Sequence, residues 1–159
     1  TEPSDPTERK GIELNSFWEI SDSLVFDFSA AKSEGNFKRL PSGQNSITDA
    51  HEEVIGTGLT YVNPNGITAS LRIRHFSDAA LTPDESITKD GSTLIHAGAS
   101  YRFDNWELGI DILNLMDRED DDIAYFFESR LPGEVDPSED IHFHPSNPRS
   151  VRVLLKYNF

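Results

Sequence analysis

A chain of 159 residues is long enough to form one ordinary domain with a core. Its formal charge of −14, from 28 acidic and 14 basic side chains, argues against a nucleic-acid partner, because neutralising phosphates takes clustered Lys and Arg. The same balance disfavours a basic patch docked on anionic lipid. The lack of cysteine excludes disulfide scaffolds, thiolate zinc sites and cysteine nucleophiles.

No segment reaches about 18 consecutive apolar residues, as a transmembrane helix would. A membrane strand escapes that criterion, since it is apolar only at alternate positions and needs about 9–11 residues. The opening Thr1-Glu2-Pro3-Ser4-Asp5-Pro6 is polar and turn-like, without the character of a signal peptide. A mature form or a fragment is therefore expected.

Alternation and breakers divide the chain into seven expected strands, because side chains two apart share a face. The first, about Thr7 to Ile20, sets Ile12, Leu14, Trp18 and Ile20 against Arg9, Glu13, Asn15 and Glu19. After the tight turn Ser21-Asp22-Ser23, the second, about Leu24 to Lys32, places Leu24, Phe26, Phe28 and Ala30 together. A long polar loop, 33–50, precedes the third strand, about Glu52 to Val62, with Ile55, Thr57, Leu59 and Tyr61 on its apolar face. Asn63-Pro64-Asn65-Gly66 is a strong turn signal, leading to the fourth strand, Ile67 to about Phe76. There Ile67, Ala69, Leu71 and Ile73 oppose Thr68, Ser70, Arg72 and Arg74.

A second loop spans 77–91. The fifth strand, about Ser92 to Phe103, carries Ile95, Ala97, Ala99, Tyr101 and Phe103 on one face. Asp104-Asn105 turns directly into the sixth, Trp106 to about Asn114, with Trp106, Leu108, Ile110 and Ile112 together. The longest loop, 117–147, separates it from the seventh, Ser150 to Phe159. That last strand alternates Val151, Val153, Leu155, Tyr157 and Phe159 against Arg152, Lys156 and Asn158, with Leu154 as the exception.

Two regularities emerge. Short turns and long loops alternate strictly, as in antiparallel membrane barrels with short periplasmic turns and long extracellular loops. The large aromatics Trp18, Tyr61, Tyr101, Phe103, Trp106, Tyr157 and Phe159 lie beside the short turns and on the apolar face, where an interfacial belt of amphipathic rings belongs. Both regularities place the short turns and the C-terminus on the periplasmic side. A soluble lipocalin-like barrel or sandwich explains the alternation equally well, but not the one-ended belt or the loop lengths. The expected fold is all-β, an antiparallel meander of about seven transmembrane strands.

Seven is odd, whereas bacterial single-chain barrels have even strand numbers from 8 upward. An open sheet would also leave two unpaired edges in hydrocarbon. The expectation is the C-terminal portion of a larger outer-membrane β-barrel, with earlier strands absent. A passive porin or small barrel is the alternative.

Three stretches carry a family resemblance. Trp106-Glu107-Leu108-Gly109-Ile110-Asp111-Ile112-Leu113-Asn114-Leu115-Met116-Asp117 resembles the W-x-L-x-x-x-x-x-N-L-x-D penultimate strand of TonB-dependent outer-membrane receptors, and Ile123-Ala124-Tyr125-Phe126 extends it. Pro148-Arg149-Ser150-Val151 with Lys156-Tyr157-Asn158-Phe159 resembles their P-R-S…Y-x-F closing strand. Arg9-Lys10-Gly11-Ile12-Glu13-Leu14 resembles an earlier R-x-G-x-E strand. The resemblance implies a 22-stranded barrel with a plugged lumen in the outer membrane of a Gram-negative cell. It implies active uptake of a siderophore-, corrinoid- or carbohydrate-like nutrient, driven by the TonB complex. The plug, the TonB box and the early strands would lie in a missing N-terminal part of the parent chain. It further implies that Tyr157 and Phe159 are read by the barrel-assembly machinery, and that outer-membrane lipid surrounds the strands.

Other chemistry is sparse. The 117–147 loop holds ten acidic residues against two arginines, a balance of −8. Asp117, Glu119, Asp120, Asp121 and Asp122 could attract calcium, yet lack an EF-hand frame, and a solvated external loop is the preferred reading. His142 and His144 would face one way on an extended segment, but two ligands fall short of a zinc site. Arg72, Arg74, Arg102 and Glu13 should point into the lumen, as a charge network or as contacts to the plug or an anionic substrate. No nucleophile-elbow or other catalytic frame is present. No enzyme activity and no cofactor are expected.

Overall fold

The computed structural model describes residues 5–159; the turn-like reading of Thr1 to Ser4 lies outside the described residues. Seven strands form one sheet: β1 (Thr7–Ser21), β2 (Leu24–Phe37), β3 (Glu53–Val62), β4 (Ile67–Phe76), β7 (Ser92–Phe103), β8 (Trp106–Leu113) and β11 (Ser150–Tyr157). Two small hairpins stand apart, β5 (Ala79–Ala80) with β6 (Thr88–Lys89) and β9 (Asp121–Ser129) with β10 (Ser138–Pro145).

The sheet order is β1-β2-β3-β4-β7-β8-β11, and every neighbouring pair is antiparallel. With seven strands alternating in direction, the two edge strands β1 and β11 run the same way. Neither edge has a second partner among the described residues. Six of the seven strands are joined in pairs by tight turns, and chain chemistry explains two of the three. Gly66 sits at φ +90°, and a side chain there would meet the Arg102 carbonyl oxygen at 2.3 Å. Only glycine lets the Asn63–Gly66 turn close while its carbonyl receives the Arg102 amide at 2.9 Å. In the β7–β8 turn, Asp104 takes the left-handed conformation at φ 49° that short polar side chains tolerate.

Register decides which side chains share a face. Trp18 lies opposite Phe26, Phe26 opposite Leu59, Leu59 opposite Leu71, Leu71 opposite Ala97, Ala97 opposite Ile112, and Ile112 opposite Val151. One row thus crosses all seven strands with apolar or aromatic side chains. The opposite face carries Glu19, Ser70, Gly98, Asp111 and Arg152 in the adjacent row, with Val25 and Thr60 between them. The antiparallel all-β meander expected from the period-two pattern is the fold observed.

Three differences from the sequence reading stand out. Strand β2 runs on to Phe37 rather than stopping near Lys32, so 33–37 is strand. The loop at 77–91 contains the β5–β6 hairpin, and the loop at 117–147 contains the 9- and 8-residue strands β9 and β10. Outside the main sheet no apolar face has to be kept on one side, so β9 lacks the alternation that marks the main-sheet strands and β10 shows only a short stretch of it.

The sheet has no core. Among the described residues, the buried hydrophobic side chains are Ala79, Leu81 and Ala124, all in or beside the small hairpins. Leu71, Ile110, Val153 and Leu155 of the apolar face remain 41, 43, 71 and 62% exposed. A water-soluble sheet would cover that face.

Candidate membrane-facing surface and loop base

The aromatic residues singled out by sequence gather at the tight-turn end. Trp106 pairs with Tyr157 across β8 and β11, their ring centroids 4.7 Å apart, and Phe159 meets Tyr157 edge-on at 5.1 Å. Tyr101 and Phe103 stack at 5.7 Å, and Phe103 lies opposite Trp106 in register. Tyr61 caps β3, its hydroxyl accepting from Asn63 Nδ2 at 2.6 Å. Trp18 stands apart from these and packs on Phe26 at 5.7 Å. Phe26 belongs with this group on both face and position, and sequence reasoning passed over it although the same alternation places it there. All these rings except Phe26 are more than a third exposed. Such rings suit the boundary between hydrocarbon and water.

The opposite face is polar and wired across strands. Arg72 Nη1 donates to Asp27 Oδ2 at 2.9 Å, straddling β3 at Gly58, where a side chain would strike both partners at 2.6 Å. Arg102 pairs with Glu107 at 3.1 Å, and the Arg74 guanidinium rests 5.5 Å from the Phe76 ring centre. Arg72, Arg74, Arg102 and Glu13 therefore share the polar face, as alternation requires. On the other face, that of Ala30 and Ile55, Lys32 and Glu53 form an ion pair at the loop-side ends of the apolar stripe.

At the loop end, the two motifs that bracket the longest loop come together. Asn114 is 3% exposed and adopts φ 52°, ending β8. Its side-chain amide donates to the Arg118 carbonyl at 2.8 Å and the Asn147 carbonyl at 3.0 Å, while its Oδ1 accepts the Arg118 amide at 2.9 Å. Asp117 Oδ1 accepts the Arg149 amide at 2.9 Å, and its Oδ2 faces that residue's guanidinium at 3.4 Å. One end of the loop is thus tied to the other, and β11 leaves in register with β8. The Asn-x-x-Asp spacing works because both residues take the left-handed conformation, Asp117 at φ 53°, which Asn and Asp adopt more readily than other side chains. Sequence reasoning found these residues as motif letters but not this role.

The acidic cluster is engaged structurally. Asp120 accepts from Ser92 Oγ at 2.8 Å and pairs with Arg118 at 3.0 Å. Burial pushes its carboxyl up, but those hydrogen bonds and the Arg118 charge outweigh it and hold the group below its ordinary value. His142 stacks on Phe127 with ring centroids 3.9 Å apart. Among the described residues, no three His, Cys, Asp or Glu side chains are arranged to hold a metal.

The overall geometry can be set beside known structures. The chain superimposes on the ferric yersiniabactin uptake receptor FyuA of Yersinia pestis with a TM-score of 0.72 at 12% identity, over 96% of this chain and 24% of that one. The fold is that of TonB-dependent receptor barrels. The ferric-catecholate import receptor Fiu of E. coli K12, in its closed form, gives 0.72 at 15% identity, over 96% of this chain and 21% of that one. The siderophore receptor PiuA of Acinetobacter baumannii gives 0.72 at 13%, over 95% and 22%. This chain therefore spans about a quarter or less of the receptors whose barrel fold it shares. No protein-family model and no curated protein matches the sequence.

Proposed function

We propose that this chain is barrel wall and external loops from the C-terminal part of a TonB-dependent receptor in a Gram-negative outer membrane, serving active uptake of a ferric siderophore-like nutrient. One observation carries the reading: a seven-stranded antiparallel sheet exposes an apolar face, presents a charged and hydrogen-bonded opposite face, and leaves both edges unpaired. Hydrocarbon is the solvent in which the first face needs no cover. The polar face then lines the lumen, where the plug would sit. Further strands of the parent chain must satisfy both edges, since unpaired backbone groups in lipid cost several kcal/mol each.

Likeness to siderophore receptors supports a metal chelate as cargo, ahead of a corrinoid or a carbohydrate. The rings of Trp18, Tyr61, Tyr101, Phe103 and Trp106 form the periplasmic-side belt, and the long connections face outward. Tyr157 and Phe159 serve as the signal for the barrel-assembly machinery. The TonB complex would act through the part of the parent outside this chain. The role inferred from the likeness to uptake receptors is transport.

Reading the gene upstream of the codon for Thr1 tests the proposal. An open frame of several hundred codons, encoding further alternating strands and a plug domain, is the expected result. A start codon and signal sequence immediately upstream would overturn it in favour of a small passive barrel. Removing Phe159 should lower the amount of parent protein in the outer membrane, measured on fractionated membranes; an unchanged level would remove the assembly role.

A further inference from the structure

We propose that the three long connections of this chain form one preassembled cap, keyed by the buried ammonium of Lys89, so that displacement of any one of them is transmitted to the other two. The proposal rests on side-chain geometry alone and does not depend on what the parent protein carries.

The bonds between the connections are specific. Lys89, on β6, is 7% exposed, and its Nζ donates to the Asp122 carbonyl of β9 at 3.1 Å. The same ammonium stands 3.6 Å from Asp49 Oδ1, in the connection between β2 and β3. One cation therefore touches all three connections. A buried lysine is retained only where its charge is compensated, because desolvating an unpaired ammonium costs several kcal/mol. Here the compensation comes from two different connections, and withdrawing either leaves the charge short of a partner.

Backbone contacts reinforce the same joint. The Asp49 amide donates to the Ala80 carbonyl at 2.8 Å and the Ser46 amide to the Pro83 carbonyl at 3.1 Å. Ser46 Oγ also bonds the Glu85 carboxylate. The third connection is braced separately, to the sheet by Ser92 Oγ of β7, which holds Asp120, and to itself by the Asp120 carbonyl, which accepts the Ser146 amide at 2.8 Å. The buried hydrophobic side chains coincide with this joint: Ala79 and Leu81 flank β5, and Ala124 of β9 is fully enclosed. Thr48, Asp49, Leu81 and Ala124 line one open cleft, so residues of all three connections meet at a single place.

These 159 residues contain no cysteine, so labels can be placed at chosen positions once any cysteine elsewhere in the parent chain is replaced by serine. Ser42→Cys, Ser86→Cys and Glu128→Cys, each at an exposed position on a different connection, are combined in pairs and spin-labelled in the intact protein purified in detergent. Electron–electron distance measurements should give one narrow distribution for each of the three pairs. Adding Lys89→Met, which keeps the stem and removes the charge, should broaden all three together by about twofold, as loss of a shared cooperative unit requires. Asp49→Asn, which leaves the lysine in place, should broaden the pairs that include Ser42 first. Broad or multiple distances in the unsubstituted protein would overturn the proposal. So would broadening by Lys89→Met confined to the Ser86 pairs, with Ser42 and Glu128 still fixed to each other. If Lys89→Met fails to fold, the unsubstituted distances and the Asp49→Asn variant decide between the same outcomes.

Discussion

The sheet and the loop assembly of this chain obey opposite rules. Across seven strands, no residue larger than glycine is buried in the sheet, and its apolar side chains stand open. In the connections, a few short hairpins enclose Ala79, Leu81, Ala124 and a lysine. The first region is built to be completed by its surroundings. The second is built to hold itself together in water, with hydrogen bonds and a small interior. The hydrophobic effect stabilises the loop assembly directly, whereas in lipid it stabilises the sheet by insertion rather than by chain-to-chain packing.

Substitutions can break that contrast, and the largest effect belongs to the sheet. Leu71→Arg, at mid-strand on the apolar face, should destabilise the folded parent barrel by ~2–4 kcal/mol. Ser70→Arg, one residue away on the polar face, should be tolerated far better. A denaturant titration in lipid vesicles separates them, and equal losses would contradict the assigned faces. A smaller cost is expected in the loop assembly. Ala124→Leu adds three carbons at a fully buried side chain and should cost about 1–3 kcal/mol through crowding of its neighbours. Its effect should appear as faster proteolysis of the connections, with heat-modifiable migration of the barrel unchanged. Loss of both together would show that the two regions do not fold by separate rules.

The smallest effect is a pH dependence. Asp120 has its folded-state value lowered, so its contribution to stability is present above the ordinary carboxylate range and is lost as pH falls through the folded value. Arg118 is half exposed, so the loss should stay under about 1 kcal/mol. The protection factor of the Ser146 amide, its exchange rate divided into the intrinsic rate at the same pH, should fall on acidification, and Asp120→Asn should remove most of that dependence.

Legibility from sequence follows the same division. Strands that must present one apolar face to a neighbour or a solvent write that requirement as alternation. The faces of β3, β4 and β8 could be read residue by residue, and turn chemistry at Asn63–Gly66 and Asp104-Asn105 marked where the chain reverses. In the connections no such requirement exists. Ile123-Ala124-Tyr125-Phe126-Phe127 is a strand without alternation, and Ser33–Phe37 continues β2 without a continuous apolar stripe. Lys89 reads as one more surface lysine, because its burial depends on Asp49 and Asp122, which lie 40 and 33 positions away in the chain. Asn114 and Asp117 were visible as spacing, but their partners Asn147 and Arg149 are set by the return of the chain.

The shared direction of β1 and β11 acts as a parity rule for assembly. Two copies placed head to tail would bring β11 against β1 in parallel, which a meander sheet does not do, so such copies cannot extend one another into an open-ended ribbon. Closure into a ring with antiparallel neighbours requires a complement containing an odd number of strands. In a barrel with an even strand count, removing these seven strands leaves an odd complement whose two edges also run the same way, so both seams can close antiparallel. For this seven-stranded piece, the acceptable mate is fixed by counting alone, before a single side chain is considered.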